Sequence, residues 1–239
     1  MAGALLEVNG VVKRFGGFTA LNQVTLHVKP GERFGLIGPN GSGKTTLINC
    51  VSGSLHADEG RILFDGRDIT TLPAHRRTRL GIARSFQLPR PFHTMTVLEN
   101  LLVPSAYVTH LRDSEGEVKA MEILRSIRLA DKAHALASQL SQVELRKLEL
   151  SRAMAAEPRL LISDEAMAGL AGAEVDEVLQ ILFDLNARGI TIIMIEHIMQ
   201  AVMRFSQRVV CLDAGRIICE GTPQAIVGNP DVQKAYLGA

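Results

Sequence analysis

The 239-residue chain contains no tryptophan, and aromatic residues make up only 4% of it. Its three cysteines, Cys50, Cys211 and Cys219, show no CxxC spacing. So sparse and odd a count argues against a disulfide framework or a cysteine-based zinc site and suits a reducing compartment. Net charge is nearly absent as well: 26 Lys and Arg against 25 Asp and Glu leave +1. That is too little for a dominant attraction to nucleic acid or anionic lipid, so no nucleic-acid partner is expected. Long apolar runs are missing; stretches such as 192–195 and 209–212 fall far short of the ~20 residues a membrane helix needs. The opening MAGALLEVNGVVKR lacks the basic start and long apolar run of a secretory signal. There is no low-complexity segment and no repeat of solenoid period. These absences describe a cytoplasmic chain that reaches a membrane only through a partner.

What is present is ordinary globular composition, 46% hydrophobic and 21% charged. The first 37 residues read as strands: Leu6 to Val12, then Val24 to Val28 with clear alternation, a Pro30-Gly31 turn, and a short buried run Phe34-Gly35-Leu36-Ile37. Lys44 to Ser52 has helical character, and Arg61 to Phe64 reads as a strand entering an Asp65-Gly66 turn. From about Met95 to Ala156 the apolar spacing is mostly three and four, as in Val118, Met121, Ile123, Leu124 and Ile127. Strand and helix then alternate: Leu160-Leu161-Ile162, a helix over 175–187, and a buried strand over 190–195. Such alternation predicts an α/β fold with a mostly parallel sheet covered by helices. Residues 1–87 and 157–239 form the α/β core in this reading, and 88–156 an inserted helical subdomain.

The segment Gly38-Pro39-Asn40-Gly41-Ser42-Gly43-Lys44-Thr45 fits the pattern GxxxxGK[ST], with a strand before it and a helix, opening through Thr46, behind it. Its glycines let backbone N–H groups approach phosphate oxygens, and the helix N-terminus adds a positive field. Lys44 is placed to neutralise β- and γ-phosphates and Thr45 to offer a hydroxyl to magnesium. The run Leu160 to Ile162 then delivers Asp164 to a strand's carboxyl end, where α/β sheets bind ligands. Asp164 is the candidate magnesium carboxylate and Glu165 the candidate general base. Arg76, Arg77 and Arg79 read as a solvated basic face rather than an anion site.

With these motifs in place the chain resembles the ATP-binding subunits of ABC transporters, most closely those of branched-chain amino-acid importers, with urea and amide importers close behind. The resemblance covers essentially the whole chain. It rests on Leu5-Leu6-Glu7-Val8, Arg14-Phe15-Gly16-Gly17, the phosphate loop, Ser85-Phe86-Gln87 and Met95-Thr96-Val97-Leu98-Glu99-Asn100-Leu101. It continues through Asp164-Glu165, Met167-Ala168-Gly169-Leu170, Ile195-Glu196-His197, Gly221-Thr222-Pro223, and Asn229-Pro230-Asp231-Val232 to Ala235-Tyr236-Leu237-Gly238. It implies a RecA-like P-loop core, an N-terminal antiparallel β-subdomain and an inserted helical subdomain. It also implies an ATPase using ATP and Mg2+, with membrane permeases, a second ATP-binding subunit and an external solute-binding protein as partners. Phe15 would stack on adenine, Gln87 would reach magnesium or the lytic water, and His197 would contact the γ-phosphate. Residues 168–171 match a loop that crosses the dimer interface, and Leu88, Pro89, Arg90, Pro91 and Phe92 lie where motion passes to the membrane subunits. Such a subunit sits on the inner face of the membrane and powers import of a small polar solute.

One segment departs from the family. Its LSGGQ-like signature, which acts on the partner's ATP, appears here as Leu140-Ser141-Gln142-Val143-Glu144, without either glycine. Ser163 and Ala166 are further departures around the intact acids. The expectation is that Gln142 adds bulk beside Ser141 and that Val143 fits poorly where positive φ is needed. This favours a heterodimer of ATPase subunits over a homodimer. It also leaves open a non-importing ABC machine or a weakly hydrolysing regulatory subunit.

Overall fold

The computed structural model describes residues 3–85, 90–110 and 113–237. In chain order, β1 (Leu6–Phe15), β2 (Phe18–Val28) and β3 (Arg33–Ile37) precede α1 (Lys44–Ser52), β4 (Glu59–Phe64), β5 (Arg67–Asp68) and α2 (Ala74–Arg79). Next come β6 (Ile82–Ser85), α3 (Val97–Pro104), α4 (Asp113–Ser126), α5 (Gln142–Met154), β7 (Leu160–Asp164) and α6 (Gly172–Ala187). The chain closes with β8 (Thr191–Ile195), α7 (Met199–Phe205), β9 (Arg208–Asp213), β10 (Arg216–Gly221), α8 (Pro223–Val227) and α9 (Pro230–Leu237). Two compact units result, one drawn from Met1–Arg77 and Thr191–Ala239, the other from Thr78–Ile190.

In the first unit β1 pairs antiparallel with β2, from Leu6↔Val28 to Phe15↔Phe18, and with β4, where Val8 faces Ile62. Val24, Leu26 and Val28 are buried while Thr25 and His27 are exposed, so β2 buries one face. Asp65 (φ 51°) and Gly66 (φ 73°) turn β4 into β5, the two positive dihedrals that a tight hairpin uses. The phosphate-loop strand β3 lies between parallel neighbours β8 and β9 (Leu36↔Ile195, Ile37↔Cys211), and β10 closes that side antiparallel to β9. Phe34 to Ile37 and all of β8 are buried, which is why they read as continuous apolar runs rather than alternating ones. Burial pushes the Cys50 and Cys211 thiols up to about 11, leaving both as apolar filling.

Arg77 corrects the reading of a solvated basic face. Arg76 and Arg79 are exposed, but Arg77 is fully buried. Its guanidinium donates to the carbonyls of Cys50 (2.6 Å), Val51 (2.9 Å), Thr70 (2.9 Å) and Leu72 (2.8 Å). Two of these belong to the last turn of α1, where helix carbonyls lack intrahelical donors and a cation suits the dipole.

In the second unit β6 and β7 are parallel (Arg84↔Ile162, Ser85↔Ser163), and β7 is buried along its whole length. α6 starts three residues before the predicted Val175, because the Glu174 carboxylate accepts the Ala171 N–H at 2.9 Å and caps an extra turn. α5 carries buried polar groups that are paired: Lys147 with Glu177 at 2.7 Å and Glu149 with Arg152 at 3.0 Å.

Candidate nucleotide site

The phosphate loop joins β3 to α1. Gly38 (φ 150°) and Gly43 (φ 107°) hold backbone shapes that side chains resist. A Cβ on Gly38 would lie 2.1 Å from the Leu212 carbonyl, and one on Gly43 would lie 2.7 Å from that of Ala20. Lys44, the only cation between Gly38 and Thr46, is buried and folds back over its own loop. Its ammonium donates to the carbonyls of Gly38 (2.7 Å) and Pro39 (3.0 Å). The Ser42 hydroxyl is buried and finds no hydrogen-bond partner among the described residues. An orphaned hydroxyl and a lysine resting on carbonyls suit a phosphate chain, which would engage both. Asn40 and Gly41 stand exposed at the loop's tip, and Thr45 is exposed while Thr46 is half-buried.

Phe15 and Phe18 face each other at the β1–β2 turn, and neither packs into the core: they are 48% and 63% exposed. The Lys13 ammonium lies 5.5 Å from the Phe15 ring centre. His197 follows β8 and is exposed. Because Leu36 registers with Ile195, His197 and Gly38 each stand two residues past one pair, at the carboxyl edge of adjacent parallel strands. The same unit holds a contact from the far end of the chain: the Gly38 N–H donates to the Tyr236 hydroxyl at 2.8 Å.

In the second unit Asp164 ends β7 and is buried. Arg84 donates to its Oδ2 from Nη2 (2.5 Å) and Nε (3.2 Å). Glu165, half-buried, has φ 49°, an uncommon left-handed backbone for a non-glycine residue. Gln87, with Phe86, Leu88 and Pro89, lies outside the described residues, as does Gly238. The adjoining segment is fastened down. The Arg90 N–H donates to Glu149 (2.7 Å), the Arg90 carbonyl accepts from Arg152 (2.8 Å), and the Phe92 N–H donates to Asn100 (2.8 Å).

The signature segment differs from expectation. Ser141 is the N-cap of α5; its hydroxyl accepts the Glu144 N–H at 3.4 Å, and the Glu144 carboxylate accepts the Ser141 N–H at 2.8 Å. That N–H holds the Glu144 carboxyl below the usual carboxylate range. Gln142 and Val143 are the first two helical residues, so neither needs positive φ, and the predicted backbone strain at Val143 is absent. The capping box explains this: it nucleates the helix straight after Ser141 without glycine. What remains of the departure is side-chain bulk. The Gln142 amide lies against Gly169, where an added Cβ would come within 2.5 Å of Nε2, and Arg146 donates to the Ala168 carbonyl at 3.0 Å.

The parts played by Arg84, Arg77 and Tyr236 are not visible in the motifs. Arg84 is the lone charge in an apolar strand, a pattern that demands a buried partner. Arg77 was hidden inside a basic cluster. Tyr236 carries no signal in the sequence beyond its place in a terminal motif.

Fold and phosphate loop together define an ATP-binding cassette. A family model described as ABC transporter matches residues 21–168. A second, described as branched-chain amino acid ATP-binding cassette transporter, matches residues 216–239. The high-affinity branched-chain amino acid transport ATP-binding protein BraF of Pseudomonas aeruginosa is 39% identical over 255 residues, covering 100% of this chain and 99% of BraF. A solved ATP-binding cassette of an ABC transporter in its ADP conformation is 34% identical with a TM-score of 0.91, covering 99% of this chain and 100% of that one. A dimeric cassette in a post-hydrolysis state, bound to ADP and Pi, is 26% identical with a TM-score of 0.82, covering 91% and 98%. The chain belongs to the ABC transporter family, as an ATP-binding and ATP-hydrolysing subunit that works with membrane permeases. Among the described residues no helix is long and apolar enough to cross a membrane.

Proposed function

We propose that this chain powers the import of branched-chain amino acids, as one of two ATPase subunits on the inner face of a membrane permease pair. The observation that carries this reading is similarity to BraF along the full length, joined by the separate match of the C-terminal segment. Both favour it over a non-importing ABC machine. An external solute-binding protein would deliver the substrate.

The residues present fit Mg-ATP. Backbone N–H groups from Asn40 to Thr46 and the Lys44 ammonium hold the phosphates, with Lys44 exchanging the Gly38 and Pro39 carbonyls for phosphate oxygens. Phe15, already exposed, stacks on adenine. Magnesium arrives with the nucleotide in this reading. Thr45, Asp164 and Gln87 would hold that ion, which when bound neutralises phosphate charge. Glu165 takes a proton from the attacking water, whose oxygen bonds to the γ-phosphorus as the bond to ADP breaks. His197 contacts the γ-phosphate and orients it. Ser141, Gln142, Val143 and Glu144 act on the ATP of the other subunit.

The test is reconstitution of the chain with its permeases and solute-binding protein. Vesicles should accumulate labelled leucine only when ATP is supplied. Glu165→Gln should still bind ATP but lose about a hundredfold or more in turnover. Turnover at the wild-type rate would remove Glu165 as the base, and uptake indifferent to branched-chain amino acids would remove the substrate.

A further inference from the structure

We infer that Tyr236 is a positioning residue of the phosphate loop: its hydroxyl, brought in by α9, pins the peptide N–H where β3 ends and the loop begins. The inference deepens the nucleotide reading and rests on it.

Gly38 is held from two sides. Its N–H lies just past the last parallel pair of β3 and β9, Ile37↔Cys211, where the strand ladder gives it no further partner. A side chain 198 residues away supplies that partner at 2.8 Å. Its carbonyl accepts from the Lys44 ammonium at 2.7 Å. Between them there is no room for a side chain, since a Cβ on Gly38 would come within 2.1 Å of the Leu212 carbonyl and 2.6 Å of the Ser42 hydroxyl. One glycine thus links the tyrosine hydroxyl to the resting place of the lysine that meets phosphate. If the peptide before Gly38 is free to rotate, the cradle must be ordered each time a phosphate chain binds, and affinity falls.

The hydroxyl does this without being what holds α9 in place. That helix is capped by Asn229, whose Oδ1 accepts the N–H groups of Asp231 (2.8 Å) and Val232 (3.3 Å). It is anchored through buried Val232, and Asn229 also donates to Cys219 Sγ at 3.1 Å. Tyr236 itself is 41% exposed, so phenylalanine in its place keeps the ring and loses only the bond.

The experiment measures binding of ATP, ADP and inorganic tripolyphosphate to the full chain and to Tyr236→Phe by calorimetry. Loss of one neutral hydrogen bond to the cradle should weaken all three by about threefold to tenfold, because the defect lies at the phosphates and not at the base. A tyrosine with a merely structural role would lower the melting temperature and leave the three affinities unchanged, and that result overturns the inference. Should Tyr236→Phe fail to fold, amide exchange in the nucleotide-free wild-type chain decides. A protected Gly38 N–H supports the contact, and exchange at the rate of an open peptide overturns it. A wild-type chain that binds none of the three ligands overturns the nucleotide reading itself, and this inference with it.

Discussion

At the residue scale, the two acids at the end of β7 were legible because an apolar strand followed by Asp-Glu says where the carboxylates go. Arg84 was not legible, since its partner depends on register: only the pairing of Arg84 with Ile162 puts it on the same face as Asp164, two residues on. The side chains of both are about nine-tenths buried, so neither charge is tolerable alone. Arg84→Leu should therefore destabilise the nucleotide-free chain by about 3 kcal/mol or more in a denaturant titration. Mg-ATP should restore more stability to this variant than to wild type, because a metal held by Asp164, as proposed, would neutralise the same carboxylate. Equal stabilisation of the two proteins would mean that Asp164 does not meet the metal. Glu165 shows the other limit of sequence reading: its chemistry was visible, but its left-handed backbone was not, because nothing in the residue type asks for it.

At the scale of elements, α1 and α6 end where the sequence puts them, at Ser52 and Ala187, while capping moves some starts. α1 begins where the motif says, since the loop glycines and Lys44 fix it. Gly53, left-handed at φ 83°, ends α1, and two of its last carbonyls are met by Arg77, 25 positions beyond Ser52 and reached only after β4 and β5. Charge clustering reads Arg77 as part of a solvated face, and its neighbours Arg76 and Arg79 are indeed exposed. A planar fork meeting four carbonyls is a geometry that lysine cannot copy. Arg77→Lys should consequently cost about 2 kcal/mol or more, read as a lower urea midpoint, with several of the carbonyls left short of donors. A midpoint unchanged from wild type would show that a single ammonium suffices. Similarly, the Ser141–Glu144 capping box starts α5 at Gln142, a shift of the helix into the signature itself. That shift is what removes the backbone argument at Val143.

At the scale of the whole molecule, the proposed partnership with a second ATPase subunit places the signature of this chain over the other subunit's nucleotide. With Gln142 and Val143 in helical conformation, the N-terminus of α5 presents its N–H groups whatever the side chains are. The obstacle is steric: two larger side chains stand where the family has glycines, and Gln142 leans on Gly169 instead of leaving that space open. A hydrogen bond to a charged group contributes about 1.5–3 kcal/mol, so keeping a phosphate oxygen from even one N–H slows the partner's site by roughly tenfold or more. If the partner carries an ordinary signature, this chain's own P-loop would escape the defect. In the assembled complex Glu165→Gln should then stop uptake, whereas the equivalent change in the partner should reduce it mildly. Gln142→Gly with Val143→Gly should raise turnover at the partner's site, even though glycine in the first helical turn weakens α5 by up to about 1 kcal/mol per position. That opposition makes the test sharp, because a gain in rate from a less stable helix can come only from clearing the approach to phosphate. Equal turnover at the two sites of the unaltered complex, or ordinary rates from this chain as a homodimer, would show that the glycine-free signature is fully competent.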